Sequence, residues 1–416
     1  MAADGLAALS ARVATRGAVA ALLLGILCLG GVAVAVAAAD RAANAASSPI
    51  APPGAWRWAL IAAVVGATAA YIVGVLVTRR YGTSTLAALT IACAIQLVPL
   101  AGPTLLSTDA WTYWMYGRVG AVLGGNPYDD PPSAYASDPA YAAMGATWHN
   151  TTSLYGPLFT VGSELDARVA GNERGKAAWL FRLVAALSMI AITGIAALLA
   201  RERAFAVSFA GWNPLLALHF AGGGHNDAVM MALVLLALLL AERGRPNLSG
   251  VVWSCAIAVK WVPVVFLVLW LLARRRKGLP LGLPGLAAGL AAVAAAATFR
   301  YGTVWWSAMS GLSGQARRTG SIGLSRWLGD LGLGHRTQLV VIAALLLTAF
   351  ALLARSASRG RARLGVAGST LALGQGWLNP WYASWGTALS APEDDALAHA
   401  MALGLTAFLM RDVVPL

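Results

Sequence analysis

Charged residues are scarce in this chain of 416 residues. They make up 11% of the sequence, against 59% hydrophobic residues, and the mean hydropathy is +0.69. Soluble domains carry about 25% charged residues, so this composition excludes an ordinary soluble domain. Apolar runs of roughly 17 to 25 residues recur, and a helix of that length crosses about 30 Å of hydrocarbon. The sequence therefore predicts an all-α polytopic membrane protein.

Cysteine is also rare, and acidic residues are outnumbered. Cys28, Cys93 and Cys255 all lie within apolar runs, so we expect neither a disulfide framework nor a cysteine metal site. The 30 basic residues exceed the 17 acidic ones, but they form short clusters between apolar runs. Such clusters are typical of the cytoplasmic loops of membrane proteins. We therefore predict no nucleic-acid partner.

The basic clusters orient the apolar runs. They place segments 104–175 and 300–337 on the outer side of the membrane. The chain, 1–416, is then one membrane domain with about eleven spans and interfacial helices on the outer face, one of them at residues 158–169. The first run is interpreted as an uncleaved helix, with a signal peptide as the alternative. The spans are predicted at 17–39, 56–78, 85–103, 177–200, 204–221, 226–242, 281–298, 338–354, 364–379, 381–392 and 396–412.

Segment 247–273 does not fit a simple span. Basic residues flank it on both sides, and Lys260-Trp-Val-Pro263 lies at its middle. Proline lacks an amide hydrogen and disrupts a helix. Two half-helices that form a re-entrant hairpin, with Lys260 near the tip, would put both ends on the cytoplasmic side. A kinked single span is the alternative.

A polar, aromatic stretch interrupts the apolar sequence after the third predicted span. Asp109 lies there, and a carboxylate beside a hydrocarbon layer is costly unless it has a role. Its place at the membrane edge suits a general base that deprotonates an acceptor hydroxyl. Alternatively, Asp109 caps the helix that follows, together with Ser107 and Thr108.

A second polar cluster, His225-Asn226-Asp227, follows three glycines and precedes an apolar run. Glycines allow close backbone approach, and a helix N-terminus offers free amides to an anion or a hydroxyl. We therefore predict that His225, Asn226 and Asp227 bind substrate, with capping by Asp227 as the alternative. The sequence indicates no certain cofactor, but a divalent cation is possible: His225 with one or two carboxylates could bind it, although the spacing is not diagnostic.

Three basic residues are candidates for binding an anionic phosphate. Lys260 within the predicted hairpin needs an anionic partner, which is either a carboxylate or a phosphate. Arg317 and Arg318 lie in the second outer segment, against the usual charge distribution. They bind the phosphate or, alternatively, anchor the segment to anionic lipid headgroups.

Several motifs in order give the chain a family resemblance. It resembles the bacterial polyprenol-phosphomannose-dependent α-1,6-mannosyltransferases between about residues 105 and 385. The motifs are Asp109-Ala-Trp-Thr-Tyr-Trp-Met-Tyr-Gly-Arg118, Asn126-Pro-Tyr128, Tyr155-Gly-Pro157, Trp212-Asn-Pro214, Gly223-Gly-His-Asn-Asp227, Lys260-Trp261 and Pro380-Trp-Tyr382.

The resemblance implies a C-type glycosyltransferase (GT-C) fold, a lipid-phosphate sugar donor and inversion at the anomeric carbon. By this likeness Asp109 matches the catalytic base. The further motif residues expected to bind substrate are Tyr113, Arg118, Tyr155, Trp381 and Tyr382. The chain departs from the family pattern in being shorter, with fewer spans, and in continuing its last motif into Ala391-Pro-Glu-Asp-Asp395. These departures leave the sugar and the acceptor open.

The leading hypothesis is an inverting glycosyltransferase of the bacterial plasma membrane with its active site on the outer, periplasmic side. It would move a hexose, with mannose favoured, from a polyprenyl-phosphate sugar to a hydroxyl of a glycan or glycolipid acceptor, in contact with membrane lipids. One alternative keeps the fold with arabinofuranose or glucose as the sugar. Others are a transporter or flippase of lipid-linked intermediates, and an inactive lipid-binding scaffold. A transporter is disfavoured because ionisable residues other than those of the inner turns concentrate on the outer side.

Overall fold

The structure, a computed structural model, describes residues 2–308, 320 and 322–414, with side chains from residue 12. Every regular element in that part of the chain is helical, as predicted. In chain order the α-helices are α1 (Ala2–Ala39), α2 (Ala55–Tyr81), α3 (Thr85–Leu97), α4 (Asp109–Ala121), α5 (Pro139–Ala143), α6 (Pro157–Ala170), α7 (Arg174–Leu199), α8 (Arg203–Gly211), α9 (Pro214–Phe220), α10 (Asp227–Glu242), α11 (Pro246–Val259), α12 (Pro263–Arg276), α13 (Leu283–Tyr301), α14 (Leu324–Asp330), α15 (His335–Ala357), α16 (Leu364–Leu373), α17 (Ala383–Ser390) and α18 (Ala396–Leu409).

Five helices within the described residues are long and apolar enough to cross a membrane. They are Arg12–Ala39, Ala55–Tyr81, Arg174–Leu199, Leu283–Trp306 and His335–Ala357. Three shorter helices are also apolar, at Thr85–Ala101, Pro246–Val259 and Leu364–Leu373. The predicted count of about eleven spans is therefore not confirmed. The predicted span at 204–221 is broken into α8 and α9, and α17 is only 8 residues long.

Trp212 and Asn213 separate α8 from α9. Pro214 begins α9, and the Asn213 side chain caps that helix by accepting a hydrogen bond from the Leu216 N–H at 3.2 Å. Trp212 is fully buried, and its indole N–H donates to the Ala88 carbonyl at 3.0 Å. Buried polar groups need such partners. The Trp-Asn-Pro motif thus interrupts the helix within a buried segment, and the side chains of Trp212 and Asn213 are hydrogen-bonded there.

Segment 246–276 folds as a helical hairpin. α11 ends before Lys260, and Pro263 begins α12. At the open end, Arg274 contacts Glu242 at the end of α10, with 3.1 Å between Nη1 and Oε1. At the tip, Lys260 contacts Asp227 at the start of α10. α10 is about 24 Å long, so the tip and the open end lie at opposite ends of this helix. This geometry agrees with the hairpin and not with a kinked span.

Several basic loops meet at one end of the molecule, far from the hairpin tip. Arg79 Nη2 lies 3.0 Å from Asp394 Oδ1, and Arg363 Nε lies 2.7 Å from Asp395 Oδ2. Lys277, just after α12, packs against Gly360 in the loop before Arg363. We call this region the basic end; it comprises Arg79, Arg274, Lys277, Gly360, Arg363, Asp394 and Asp395.

Segment 104–175 is anchored to the rest of the protein through Glu164 of α6. This buried carboxylate accepts hydrogen bonds from Arg300 Nη2 at 3.1 Å and from the Tyr301 hydroxyl at 3.0 Å. Gly120 of α4 packs directly on Glu164, where a Cβ would collide with Oε1. Glu164 of α6 therefore packs against α4 and binds the end of α13, so the three helices are in contact at this residue. Asp109, the first residue of α4, rests on this support.

Candidate active site

Asp109 lines a cavity at the end of the molecule opposite the basic end. Its Oδ2 accepts a hydrogen bond from the Tyr113 hydroxyl at 3.3 Å and lies 3.3 Å from His225 Nδ1. Among the described residues, Oδ1 receives no hydrogen bond. The carboxylate does not cap α4, since it makes no hydrogen bond to the helix amides. Oδ1 is therefore available to a ligand in the cavity.

His225 supports Asp109 from within the protein. Its imidazole ring is fully buried and stacks on Trp381, with 3.6 Å between the ring centroids and 15° between the planes. The preceding Gly224 has a φ of +80°, a left-handed conformation that glycine adopts readily. This turn directs His225 back toward Asp109. His225 does not line the cavity but contacts Asp109, so its predicted contact with substrate stays a prediction.

Lys260 lies at the hairpin tip and also lines the cavity. Its Nζ donates to Asp227 Oδ1 at 2.9 Å and to Oδ2 at 2.8 Å. Asp227 is fully buried and accepts a further hydrogen bond from the Trp385 indole N–H at 2.7 Å. An ammonium has three N–H donors. Two point to Asp227, and the Lys260 side chain remains 18% exposed, so the third is available to a ligand.

Burial raises the pKa of Asp109. Contact with His225 and the charges of His225 and Lys260 together lower the pKa by more than burial raises it. The net result is a pKa below the ordinary value of an aspartate. The carboxylate is therefore ionised at neutral pH. An ionised carboxylate is the form that can accept a proton.

The cavity has a volume of about 600 Å³ and collects six of the predicted residues. Its aromatic side chains pack against one another; Tyr113 and Tyr155, for example, meet edge to face at 5.0 Å. A concave pocket with a few convergent polar groups on aromatic walls is typical of small-molecule sites. The predicted residues that line it are Asp109, Tyr113, Tyr155, Lys260, Trp381 and Tyr382.

An apolar groove adjoins this cavity. It has a volume of about 690 Å³ and lies between α14, α15, α16 and α18. Leu378 lines both the groove and the cavity, and Gly323 of the groove directly follows Ile322 of the cavity. The groove walls are almost entirely apolar; they include Leu324, Trp327, Leu345, Leu373 and Phe408. A hydrocarbon chain suits such a surface.

Three further residues predicted to bind substrate do not line the cavity. Arg118 is buried and holds Asp138 through both Nε and Nη2 at 2.8 Å, while Nη1 donates to the Gly171 carbonyl at 2.6 Å. Nε, Nη1 and Nη2 of Arg118 thus all donate inside segment 104–175, and its predicted contact with substrate stays a prediction. Asn226 is buried as well, and Asp227 positions Lys260 instead of reaching the cavity.

Arg317 and Arg318 lie outside the described residues, so their contact with a phosphate stays a prediction. A divalent cation was predicted as a possibility, but the described part of the chain does not bring together enough side chains to coordinate one. No group of three or more His, Cys, Asp or Glu side chains is placed there to hold a metal ion. Asp109 and His225, which touch each other, supply two such side chains and no more.

Sequence reasoning missed several cavity residues. Trp385 could have been found, because it lies four residues after Trp381 and three after Tyr382, on the same face if that run is helical. Trp148 and Trp377 carry no local signal; distant loops bring them together. Asp412 lies near the end of the chain and lines the cavity beside Ser48.

Comparison with known proteins identifies relatives of this chain. It is 32% identical over 184 residues to a probable alpha-(1->6)-mannopyranosyltransferase of Mycolicibacterium smegmatis, covering 41% of this chain and 33% of the relative. It is 29% identical over 349 residues to alpha-(1->6)-mannopyranosyltransferase A of Mycobacterium tuberculosis, covering 74% and 66%. A third relative, alpha-(1->6)-mannopyranosyltransferase A of Corynebacterium glutamicum, is 29% identical over 187 residues, covering 42% and 37%.

These matches span between a third and just under two thirds of the relatives' lengths. No solved structure matches the chain. Residues 14–276, which include Asp109, His225 and Lys260, match the family model described as alpha-(1->6)-mannopyranosyltransferase, N-terminal domain. The chain therefore belongs to the alpha-(1->6)-mannopyranosyltransferase family.

Proposed function

We propose that the protein is an inverting glycosyltransferase that moves a hexose from a polyprenyl-phosphate sugar to an acceptor hydroxyl. Family membership supports mannose as the sugar, since the relatives are named mannopyranosyltransferases. The acceptor is a glycan or a glycolipid. The enzyme acts in the plasma membrane with its cavity on the outer face.

One observation carries this proposal. The cavity presents an ionised carboxylate, Asp109, and an ammonium, Lys260, and it adjoins an apolar groove at Leu378. A lipid-linked sugar phosphate has the matching parts: a sugar that reacts, an anionic phosphate and a hydrocarbon chain. A water-soluble nucleotide sugar has no hydrocarbon chain for the groove to hold.

The chemistry is a single displacement. Asp109 Oδ1 takes the proton of the acceptor hydroxyl. The hydroxyl oxygen attacks the anomeric carbon on the face opposite the phosphate. As the new glycosidic bond forms, the bond from the anomeric carbon to the phosphate oxygen breaks. The negative charge that develops on the leaving phosphate is stabilised by the third N–H of Lys260. The products are the inverted glycoside and polyprenyl phosphate, with the proton on Asp109.

Two neighbours prepare these groups for that step. His225 holds Asp109 through Oδ2, so Oδ1 keeps its direction toward the cavity. Asp227 holds Lys260 through two hydrogen bonds and compensates its charge before a phosphate arrives. Preorganised charges of this kind need little rearrangement during reaction.

The distribution of charge supports an outward-facing cavity. The basic end lies at the opposite end of the molecule, and loops rich in lysine and arginine stay on the cytoplasmic side of bacterial membranes. The cavity then opens on the outer side. Nucleotide sugars are cytoplasmic, so a lipid-phosphate sugar is the donor that suits this location.

The test uses short-chain polyprenyl-phosphate mannose with a radiolabelled sugar as the donor and α-1,6-linked mannotriose as the acceptor. Transfer of the labelled mannose by the purified protein is measured. Asp109→Asn keeps the shape of the side chain but removes the base, and we expect the rate to fall by about 10²–10⁴-fold. The matched control is Asp394→Asn, an exposed carboxylate at the basic end, which should keep the wild-type rate.

Each outcome has a direct meaning. Full activity in a stable Asp109→Asn protein would refute the assignment of the base. Transfer from polyprenyl-phosphate arabinofuranose or glucose, but not mannose, would keep the mechanism and change the sugar. No transfer from any lipid-phosphate sugar would reject the glycosyltransferase proposal for this chain.

A further inference from the structure

Asp412 is a carboxylate of the cavity wall that the proposed mechanism does not use. It ends a short 3-10 helix, Met410–Asp412, that directly follows α18, and its side chain is half-buried. Its Oδ2 accepts a hydrogen bond from the Ser48 hydroxyl at 2.5 Å. Within the described residues, its Oδ1 receives no hydrogen bond. A carboxylate can accept several hydrogen bonds, so Asp412 has an oxygen available to a ligand in the cavity.

The loop before α2 holds Asp412 in place. The Ser48 hydroxyl lies 2.5 Å from Oδ2 and 2.5 Å from the main-chain carbonyl oxygen of Asp412. The N–H of Ile50 in the same loop donates to the carbonyl of Val413 at 3.1 Å. One side-chain contact and one main-chain contact therefore fix the carboxylate at the cavity wall. A group that is held in this way loses little conformational freedom when it binds a ligand.

Asp412 is close to the apolar groove as well as to the segment of the proposed base. The loop before α2 includes Ala45, whose carbonyl accepts a hydrogen bond from the Leu106 N–H at 2.8 Å, three residues before Asp109. Phe408 of α18 lines the groove and precedes Asp412 by four residues, a rise of about 7 Å along the helical run. A donor whose hydrocarbon chain occupies the groove would therefore bring its headgroup past Asp412 on the way to Asp109.

Hydrogen-bonding chemistry selects the part of that donor that Asp412 contacts. An ionised carboxylate accepts hydrogen bonds and donates none, so its ligand must carry a donor. The hydrocarbon chain has no such donor, and neither has the ionised phosphodiester that joins chain and sugar. The hydroxyls of the sugar are the hydrogen-bond donors of a lipid-phosphate sugar. Oδ1 of Asp412 therefore suits a sugar hydroxyl.

We propose that Asp412 binds a hydroxyl of the sugar carried by the lipid donor and thereby helps to select that sugar. This inference rests on the proposed function, because it takes a lipid-phosphate sugar as the ligand. A site that hydrogen-bonds a substrate hydroxyl strongly rejects an analogue that lacks it, since the polar group of the site is then left unpaired. Asp412 thus acts on the sugar that is transferred, whereas Asp109 acts on the acceptor hydroxyl.

The experiment compares two lipids that share the chain and the charge of the phosphodiester. One is short-chain polyprenyl-phosphate mannose, and the other is the methyl ester of the same polyprenyl phosphate. Binding to the full-length, detergent-solubilised protein is measured by calorimetry. We expect Asp412→Asn to weaken binding of the mannose lipid by about tenfold and to leave binding of the methyl ester within about twofold.

Two further variants sharpen this comparison. Ser48→Ala removes the hydroxyl that holds Oδ2, so it should weaken binding of the mannose lipid by less than Asp412→Asn does and leave the methyl ester unaffected. Asp129→Asn is the matched control, because Asp129 is an exposed carboxylate of segment 104–175 that does not line the cavity. It should change the affinity for neither lipid.

Unchanged affinity for the mannose lipid in Asp412→Asn would overturn the inference. An equal loss for both lipids would also overturn it, since the effect would then not depend on the sugar. In transfer assays the donor KM should rise, whereas a rise confined to the acceptor KM would assign Asp412 to the acceptor and reject the proposal. If the wild type binds the mannose lipid but transfers no mannose, the proposed function fails. A loss of affinity confined to the mannose lipid would then still support Asp412 as a ligand of the sugar.

Discussion

Charged side chains are arranged differently at the two ends of the molecule. At the basic end they pair with each other, and one pair lies at the surface: Asp394, the partner of Arg79, is 79% exposed. At the cavity each charged group is held on one side only. Asp109 is contacted through Oδ2, and Lys260 through two of its three N–H donors. The basic-end pairs join loops, whereas the cavity pairs support a charge and leave part of it available for a ligand.

The largest effect on stability is expected from separating Lys260 and Asp227. Asp227→Ala leaves an ammonium without its buried partner, which costs about 3–5 kcal/mol of unfolding free energy. The corresponding change at the basic end, Asp394→Ala, should cost less than about 1 kcal/mol, since exposed pairs contribute little. Denaturation of the detergent-solubilised variants would measure both.

A double variant then separates support from catalysis. Asp227→Asn with Lys260→Met removes both charges, and we expect much of the lost stability to return while transfer stays absent. Recovery of transfer in that protein would mean that Lys260 has no role toward the donor phosphate.

A smaller effect is expected in the pH dependence of kcat/KM when His225 is replaced. Contact with His225 lowers the pKa of Asp109, so His225→Gln should raise that pKa. The ionised carboxylate is the proposed base, and its fraction falls as the pH drops through the pKa. The acid limb of kcat/KM should therefore move to higher pH in His225→Gln, with little change at neutral pH. An acid limb at the wild-type position would show that His225 does not tune the base.

The smallest effect concerns Arg363 and Asp395 at the basic end. The hydrogen bond from Arg363 lowers the pKa of Asp395, so this pair stabilises the fold above the unfolded-state pKa and loses that contribution as the pH falls. Arg363→Gln should cost up to about 1 kcal/mol at pH 7 and nothing once Asp395 is protonated in both proteins. Mannose transfer at neutral pH should be unaffected. A loss of transfer equal to that of Asp109→Asn would remove the distinction between the two ends.

The sequence predicted those features that depend on local patterns. Apolar runs gave the helical class, and Lys260-Trp-Val-Pro263 gave the hairpin, because a proline break and two basic flanks act within one segment. Asp109 was selected because it lies in a polar stretch beside an apolar run, and Lys260 because it is a charge within an apolar segment. The number of spans is not confirmed, because a proline break and short buried pieces such as α8 and α9 resemble one membrane helix in composition.

The roles of partners were harder to predict. Arg118 and Asp227 were predicted to bind substrate, but each is buried and pairs with a residue that is distant in sequence, Asp138 and Lys260 respectively. Trp148 and Trp377 lie more than 200 residues apart, and nothing in either local sequence indicates that their rings meet. Such pairings depend on how the helices pack, which periodicity alone does not specify.

One backbone contact joins the two halves of the site. The N–H of Gly156 donates to the carbonyl of Val259 at 3.1 Å, and a Cβ on Gly156 would collide with the carbonyl of Ala258. Segment 104–175, which carries Asp109, is thereby tied by main chain to the hairpin tip that carries Lys260. The spacing between the proposed base and the proposed cation thus depends on this backbone contact as well as on the side chains of His225 and Asp227.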